Sequence, residues 1–113
     1  MAIDCLFCRI VGGEIPATLV ADNSYCIAFR DISPQSPTHV LVVPRLHFDS
    51  LDDITDSKII GEVMMMAAEV ARSEKIANSG YRVVLNTGSD GGQSVSHLHA
   101  HVMGGRSFRW PPG

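Results

Sequence analysis

No apolar run in this 113-residue chain approaches the roughly 20 residues that a membrane-spanning helix needs, so membrane anchoring is not expected. A basic stripe is also missing: the 9 lysines and arginines are scattered singly from Arg9 to Arg109, and the formal net charge is −3. Long DNA or RNA, whose backbone demands clustered cations, is excluded as a partner on that ground. The stretch Met1-Ala2-Ile3-Asp4-Cys5 lacks the basic region and apolar run of a secretory leader, and a cytoplasmic location is expected. Cysteine is scarce and odd in number: 3 residues cannot make a fully paired disulfide framework. Cys5 and Cys8 instead form a C-x-x-C, which in a reducing compartment points to metal or redox chemistry, while Cys26 reads as a small core residue. Neither an internal repeat nor a linker is found. The length suits a single domain over 1–113, with a proline-rich tail over about 104–113.

What is present is an ordinary globular composition, 45% hydrophobic and 19% charged. Leu6, Phe7, Ile10 and Val11 recur at helical spacing and stop at Gly12-Gly13, which predicts a short helix. Thr18 to Ala21 and Tyr25 to Arg30 flank the turn sequence Asp22-Asn23-Ser24 and predict a hairpin. After a loop with two prolines, Pro34 and Pro37, a strand is predicted over Thr38 to Val43. Its His39, Leu41 and Val43 share one face and Val40 and Val42 the other, and a strand apolar on both sides belongs at the centre of a sheet. A long helix is predicted from about Asp56 to Asn78, capped by Thr55 or Asp56 and stopped by Gly80. Its apolar stripe is Ile59, Ile60, Val63, Met64, Ala67, Val70 and Ala71. Met64-Met65-Met66 is wider than one stripe requires; it either fills core or forms a second apolar surface for dimer packing. With a further strand over Tyr81 to Asn86, the sum is an α+β domain. It has an antiparallel sheet of about five strands, one long helix and one short helix, because the connections are too short for parallel crossovers.

The densest chemistry lies in Ser96-His97-Leu98-His99-Ala100-His101-Val102-Met103, where 3 of the 5 histidines alternate with small or apolar residues. On a strand His97, His99 and His101 share one face and Leu98, Ala100 and Val102 the other, whereas a helix would scatter them. A strand over Ser96 to Met103 is therefore predicted. Imidazole serves as nucleophile, acid, base or metal ligand near neutral pH, and three aligned imidazoles are costly to keep for packing alone.

Thr87 to Ser94 leads into that row as a glycine-rich loop, and Gly88, Gly91 and Gly92 could form an anion-binding concavity of backbone amides. Loop and histidines together suggest attack on phosphorus. His99, flanked on both sides, is the better-supported nucleophile. His101 would hold a phosphoryl oxygen or protonate the leaving group, and Ser94 and Asn86 would supply neutral hydrogen bonds. A competing reading assigns imidazoles to metal: Cys5, Cys8, His47 and His97 make a two-thiolate, two-imidazole set that would close the shell of a structural zinc. No HExxH pattern of a catalytic zinc occurs.

The segment His97-Leu98-His99-Ala100-His101-Val102-Met103 resembles the H-φ-H-φ-H-φ-φ signature of the histidine triad family, with φ apolar. Asp31-Ile32-Ser33-Pro34-Gln35, Pro37-Thr38-His39, Gly88-Ser89-Asp90-Gly91-Gly92-Gln93-Ser94 and Trp110-Pro111-Pro112-Gly113 resemble its Hint branch. That resemblance implies a homodimeric purine nucleoside phosphoramidase acting through a covalent nucleotidyl-His99, with no cofactor needed for turnover. By the same carry-over His101 contacts phosphate, Asp31 binds the ribose, and Leu6, Phe7, Ile10, Phe29, Ile32 and Leu41 line the base pocket. Asn86, Gly92 and Ser94 match the phosphate site, His39 supports the triad through hydrogen bonds, and Trp110 borders the partner's active site. Arg30 stands where relatives often carry histidine. Bacterial relatives of this kind hold a structural zinc on residues matching Cys5, Cys8, His47 and His97. A nucleotide-binding regulator with incidental hydrolysis is the alternative function.

Overall fold

Six of the seven residues of Thr38–Pro44 are buried, and this strand runs through the middle of the sheet, as its two apolar faces predict. The structure, a computed structural model, describes residues 4–113; Met1, Ala2 and Ile3 of the stretch read for a leader lie outside the described residues. The elements in chain order are α1 (Leu6–Val11), β1 (Leu19–Asp22), β2 (Cys26–Arg30), β3 (Thr38–Pro44), a 3-10 turn (Leu51–Asp53), α2 (Ser57–Ser73), β4 (Tyr81–Val84) and β5 (Ala100–Gly104). The five strands form one antiparallel sheet in the order β1-β2-β3-β5-β4. The protein is an α+β domain.

Strand alternation sorts the core into two layers. Cys26, Ala28, Val40, Val42, Ala100 and Val102 face α2 and pack against its Val63, Met66, Ala67, Val70 and Ala71. Each fully buried valine or methionine among them contributes about 1.5–3 kcal/mol. On the opposite face Ile27, Phe29, Leu41 and Val43 pack against Cys5 and Phe7 at α1. Leu41 pairs with His101 and His39 with Met103 across β3 and β5, so the imidazoles of both strands emerge on the α1 side. Among the described residues no helix is long and apolar enough to cross a membrane.

Three boundaries differ from the sequence reading by more than one residue. The histidine strand begins only at Ala100, and Ser96 to His99 form no ladder. The Leu98 amide donates instead to the Phe48 carbonyl at 2.7 Å, and β5 has no partner on β3 beyond Val42. α2 stops at Ser73 rather than Asn78, because Lys75 turns into the left-handed region at φ 62° and drops Ile76 into the core. β4 ends at Val84, leaving Asn86 outside the strand. The helix stripe is also turned slightly: Met66 is buried while Met64 and Met65 are exposed.

Candidate active site and metal centre

A cleft of about 620 Å³ opens on the α1 side of the sheet, within the usual range for a small-molecule site. Leu6, Phe7 and Ile10 of α1 form one wall, Phe29 and Leu41 the floor, and Arg30, Asp31 and Ile32 a rim. Ser94, His99 and His101 stand at its polar end. The walls are thus apolar and the far end carries donors and acceptors, which suits a flat apolar group joined to an anionic one.

Hydrogen bonds set the tautomer of each ring. His99 Nδ1 lies 2.7 Å from the His97 carbonyl, which can only accept; the proton is on Nδ1, and Nε2 is left with its lone pair for the cleft. The Gln35 amide donates to His39 Nδ1 at 3.0 Å, so the proton of neutral His39 is on Nε2 and is donated to His101 Nδ1 at 2.9 Å. His101 is thereby held with its proton on Nε2. A lone pair and an N–H are presented side by side, with the His99 and His101 ring centroids 4.9 Å apart. Burial, reinforced by His99 and His39 and opposed by Asp31, pushes His101 down to about 4. Burial also lowers His39, against the pull of Asp31. Both rings are neutral near pH 7.

Asp31, His39 and His101 lie close enough to be considered as a metal cluster. The Gln35 amide argues against it, since it occupies Nδ1 of His39 and keeps a proton on the Nε2 that a cation would need. The other cluster behaves oppositely. His97 Nε2–H donates to the Pro44 carbonyl at 2.9 Å and His47 Nε2–H to Asp49 Oδ1 at 2.7 Å, which turns both Nδ1 lone pairs toward Cys5 and Cys8. Those lone pairs face each other at 3.1 Å, and the nitrogen–sulfur separations are 3.3–3.5 Å. A tetrahedral ion with bonds of about 2.0 Å to nitrogen and 2.3 Å to sulfur has a nitrogen–nitrogen edge of about 3.3 Å and a nitrogen–sulfur edge of about 3.5 Å. The donor set fits zinc, with the outer hydrogen bonds that orient such ligands already in place.

Other predicted site residues lie apart from the cleft. Asn86 is half-buried, and Gly92 is exposed with its amide donated to the Ser89 carbonyl at 3.1 Å; neither lines the cleft. The Gly88 amide is likewise taken, by Gln93 Oε1 at 3.0 Å. Two of the three glycine amides read as an anion concavity therefore close the loop on itself, and the loop's visible effect is to deliver Ser94 and Val95 to the cleft. Trp110 is 83% exposed and away from the cleft of its own chain. Sequence reasoning missed Gln35, Pro44, Asp49 and Gln93, of which only Asp49, two residues from His47, carried a local signal. Gln93 Nε2 donates to the Asp49 and Val95 carbonyls and so ties loop, cleft and metal centre together.

The family model for the HIT domain matches residues 12–108. The chain belongs to the HIT family. It is similar to an uncharacterized HIT-like protein of Synechococcus elongatus, 43% identical over the whole of both chains. Its fold is that of the HIT family hydrolase of Legionella pneumophila, at 46% identity, TM-score 0.95 and coverage of 97% of this chain and 100% of that one. A histidine triad protein of Clostridium difficile is 41% identical with TM-score 0.91, covering 96% of each chain. The HIT signature of this chain is therefore carried by a strand start and the irregular residues before it, with all three histidines on the sheet face opposite α2.

Proposed function

We propose that this HIT protein is a hydrolase of the Hint type that cleaves the P–N bond of purine nucleoside phosphoramidates through a nucleotidyl-His99 intermediate. The observation that carries the reading is the His99 Nδ1–H bond to the His97 carbonyl, which leaves an Nε2 lone pair at the polar end of an apolar cleft. The base lies between Phe7, Leu6 and Ile10 and the Phe29–Leu41 floor, the ribose hydroxyls donate to Asp31, and phosphate sits at Ser94, His99 and His101. His99 Nε2 attacks phosphorus as the P–N bond breaks, and the departing nitrogen takes the bonding pair and a proton from solvent, which the water of the second step gives back. His101 Nε2–H donates to a phosphoryl oxygen as charge builds there. Water then attacks, the Nε2–P pair returns to His99, and the net consumption is one water, a hydrogen on the amine and a hydroxyl on phosphorus.

Zinc on Cys5, Cys8, His47 and His97 would supply a closed structural clamp and no open position for substrate. The working unit is a homodimer whose partner docks on the apolar surface left at Met64 and Met65. Replacing His99 with Asn keeps shape and removes the nucleophile. Adenosine phosphoramidate turnover is expected to fall by about 10³-fold or more, and unchanged turnover overturns the reading.

A further inference from the structure

Taking the nucleotide and zinc assignments above as its basis, we propose that zinc loading of the cysteine–histidine centre assembles the nucleotide cleft through Phe7. By the same coupling, nucleotide binding tightens zinc.

Few buried contacts hold α1 to the sheet. Six residues are too few for a helix to persist on its own, since isolated helices under about 12 residues are marginal in water. Of its side chains only Phe7 is buried. The Arg9–Asp4 ion pair is exposed on both sides and adds little. Ile10 and Val11 pack against the core only partly buried, so the firmest remaining anchors are the two cysteines. Cys5 caps the helix, its sulfur accepting the Cys8 amide at 3.4 Å, and Cys8 lies one turn on. The Cys5 sulfur faces His97 and the Cys8 sulfur faces both His47 and His97, so the first turn of α1 is clamped to the sheet by whatever binds the four ligands.

Phe7 lies between the two cysteines in sequence and between the two sites in space. Its ring meets His97 at 6.0 Å and 68°, His99 at 5.1 Å and 89°, and Phe29 on the cleft floor at 5.5 Å. Seven of the sixteen residues that line the cleft fall between positions 6 and 18, on α1 or on the chain that leaves it. A cation that fixes Cys5 and Cys8 therefore fixes the base-binding wall, and it presses Phe7 against the nucleophile ring. The backbone of His97 completes the link, since the carbonyl of this ligand holds the His99 proton. The other layer of the core, where α2 packs on Ala28, Val40, Val42, Ala100 and Val102, shares none of these contacts and stays folded either way.

Linkage makes the proposal quantitative: if zinc raises AMP affinity by some factor, AMP must raise zinc affinity by the same factor. The test compares zinc-free protein, prepared by chelator dialysis, with protein reloaded with one equivalent of zinc. AMP binding is measured by calorimetry, and zinc affinity by chelator competition with and without AMP. AMP affinity is expected to fall at least about five-fold without zinc, the low end of usual coupling, and AMP is expected to tighten zinc by the matching factor. Hydrogen exchange should quicken at the Arg9, Gly12 and Glu14 amides, which bond within this segment, while the α2 amides stay protected. Phe7→Ala, which keeps all four ligands, should bind zinc and lose the response of AMP affinity to it. Equal AMP affinity with and without zinc overturns the coupling, and so does loss of α2 protection, which would make the metal a staple of the whole fold. A Phe7→Ala protein that still responds overturns the route. Zinc-loaded protein that binds no AMP sinks the nucleotide reading and the coupling with it; protein that binds AMP but no zinc sinks only the coupling.

Discussion

A single backbone amide, that of Gln35, decides how two imidazoles present themselves to the cleft. By donating to His39 Nδ1 it places the His39 proton on Nε2, and that proton fixes the tautomer of His101. His39→Leu leaves His101 Nδ1 without its donor and free to take the wrong proton. The expected result is a kcat lower by about 10-fold, the worth of roughly 1.4 kcal/mol, with KM little changed, read from steady-state kinetics on an adenosine phosphoramidate. His101 also sets a pH dependence. Its proton binds at about 4 in the folded chain and near 6.5 in the unfolded one, so between those values the unfolded state holds more protons. The stability is present above about pH 6.5 and drains away as the pH falls toward 4. His101→Gln should flatten that slope, and Tm measured from pH 7 to pH 4 should fall more steeply for the natural protein than for the variant. The triad and His39 stood out in the sequence because alternation and residue type are local properties. Their division of labour could be assigned from flanking position and resemblance, but the tautomers behind it could not, because they depend on carbonyls and amides of residues 35, 44 and 97 that any side chain could have carried.

At the scale of elements, period-2 and period-3.6 patterns located β3, both helices and the hairpin, because each buries one face against a partner layer. Their ends were less visible. The alternation through His97, Leu98 and His99 looks like strand, yet those residues are fixed by the bond from the His97 ring to the Pro44 carbonyl and by the Phe48 carbonyl rather than by a ladder. α2 ends where Lys75 turns, and nothing in Glu74-Lys75-Ile76 announces a left-handed residue. The Met64–Met66 run was ambiguous for a similar reason: one residue of rotation decides which methionine is inside. Within one chain Met66→Ala should cost about 2–5 kcal/mol and Met65→Ala close to nothing, a contrast that denaturant melts at concentrations too low for dimers would reveal. The glycine loop offers a sharper case. A Cβ at Gly91 would lie 2.3 Å from the Thr87 carbonyl oxygen, which is backbone and cannot step aside alone. Gly91→Ala should therefore shift the loop that delivers Ser94, lowering kcat/KM more than Tm; an active, unshifted variant would separate the loop from the phosphate site.

For the whole molecule, the remaining question is what meets the surfaces this fold leaves uncovered. β4 has a neighbour on one side only, and Met65 on the outer face of α2 is 60% exposed. Trp110, in a tail tied to β4 through the Arg82 guanidinium and the Arg109 carbonyl, lies away from its own cleft. A tail that lies away from its own site has a use if it serves a neighbour's, as the proposed dimer would require. Met65→Glu places a charge on the proposed docking face, and sedimentation at micromolar concentration should show dimers for the natural chain and monomers for the variant. Trp110→Ala then distinguishes a partner's role from a local one. In the dimer it should raise KM for a phosphoramidate by several-fold; in the Met65→Glu monomer the same substitution should change nothing further, because no neighbouring cleft is within reach. Equal effects of Trp110→Ala in both backgrounds would place its influence within one chain and remove the tail from the dimeric site.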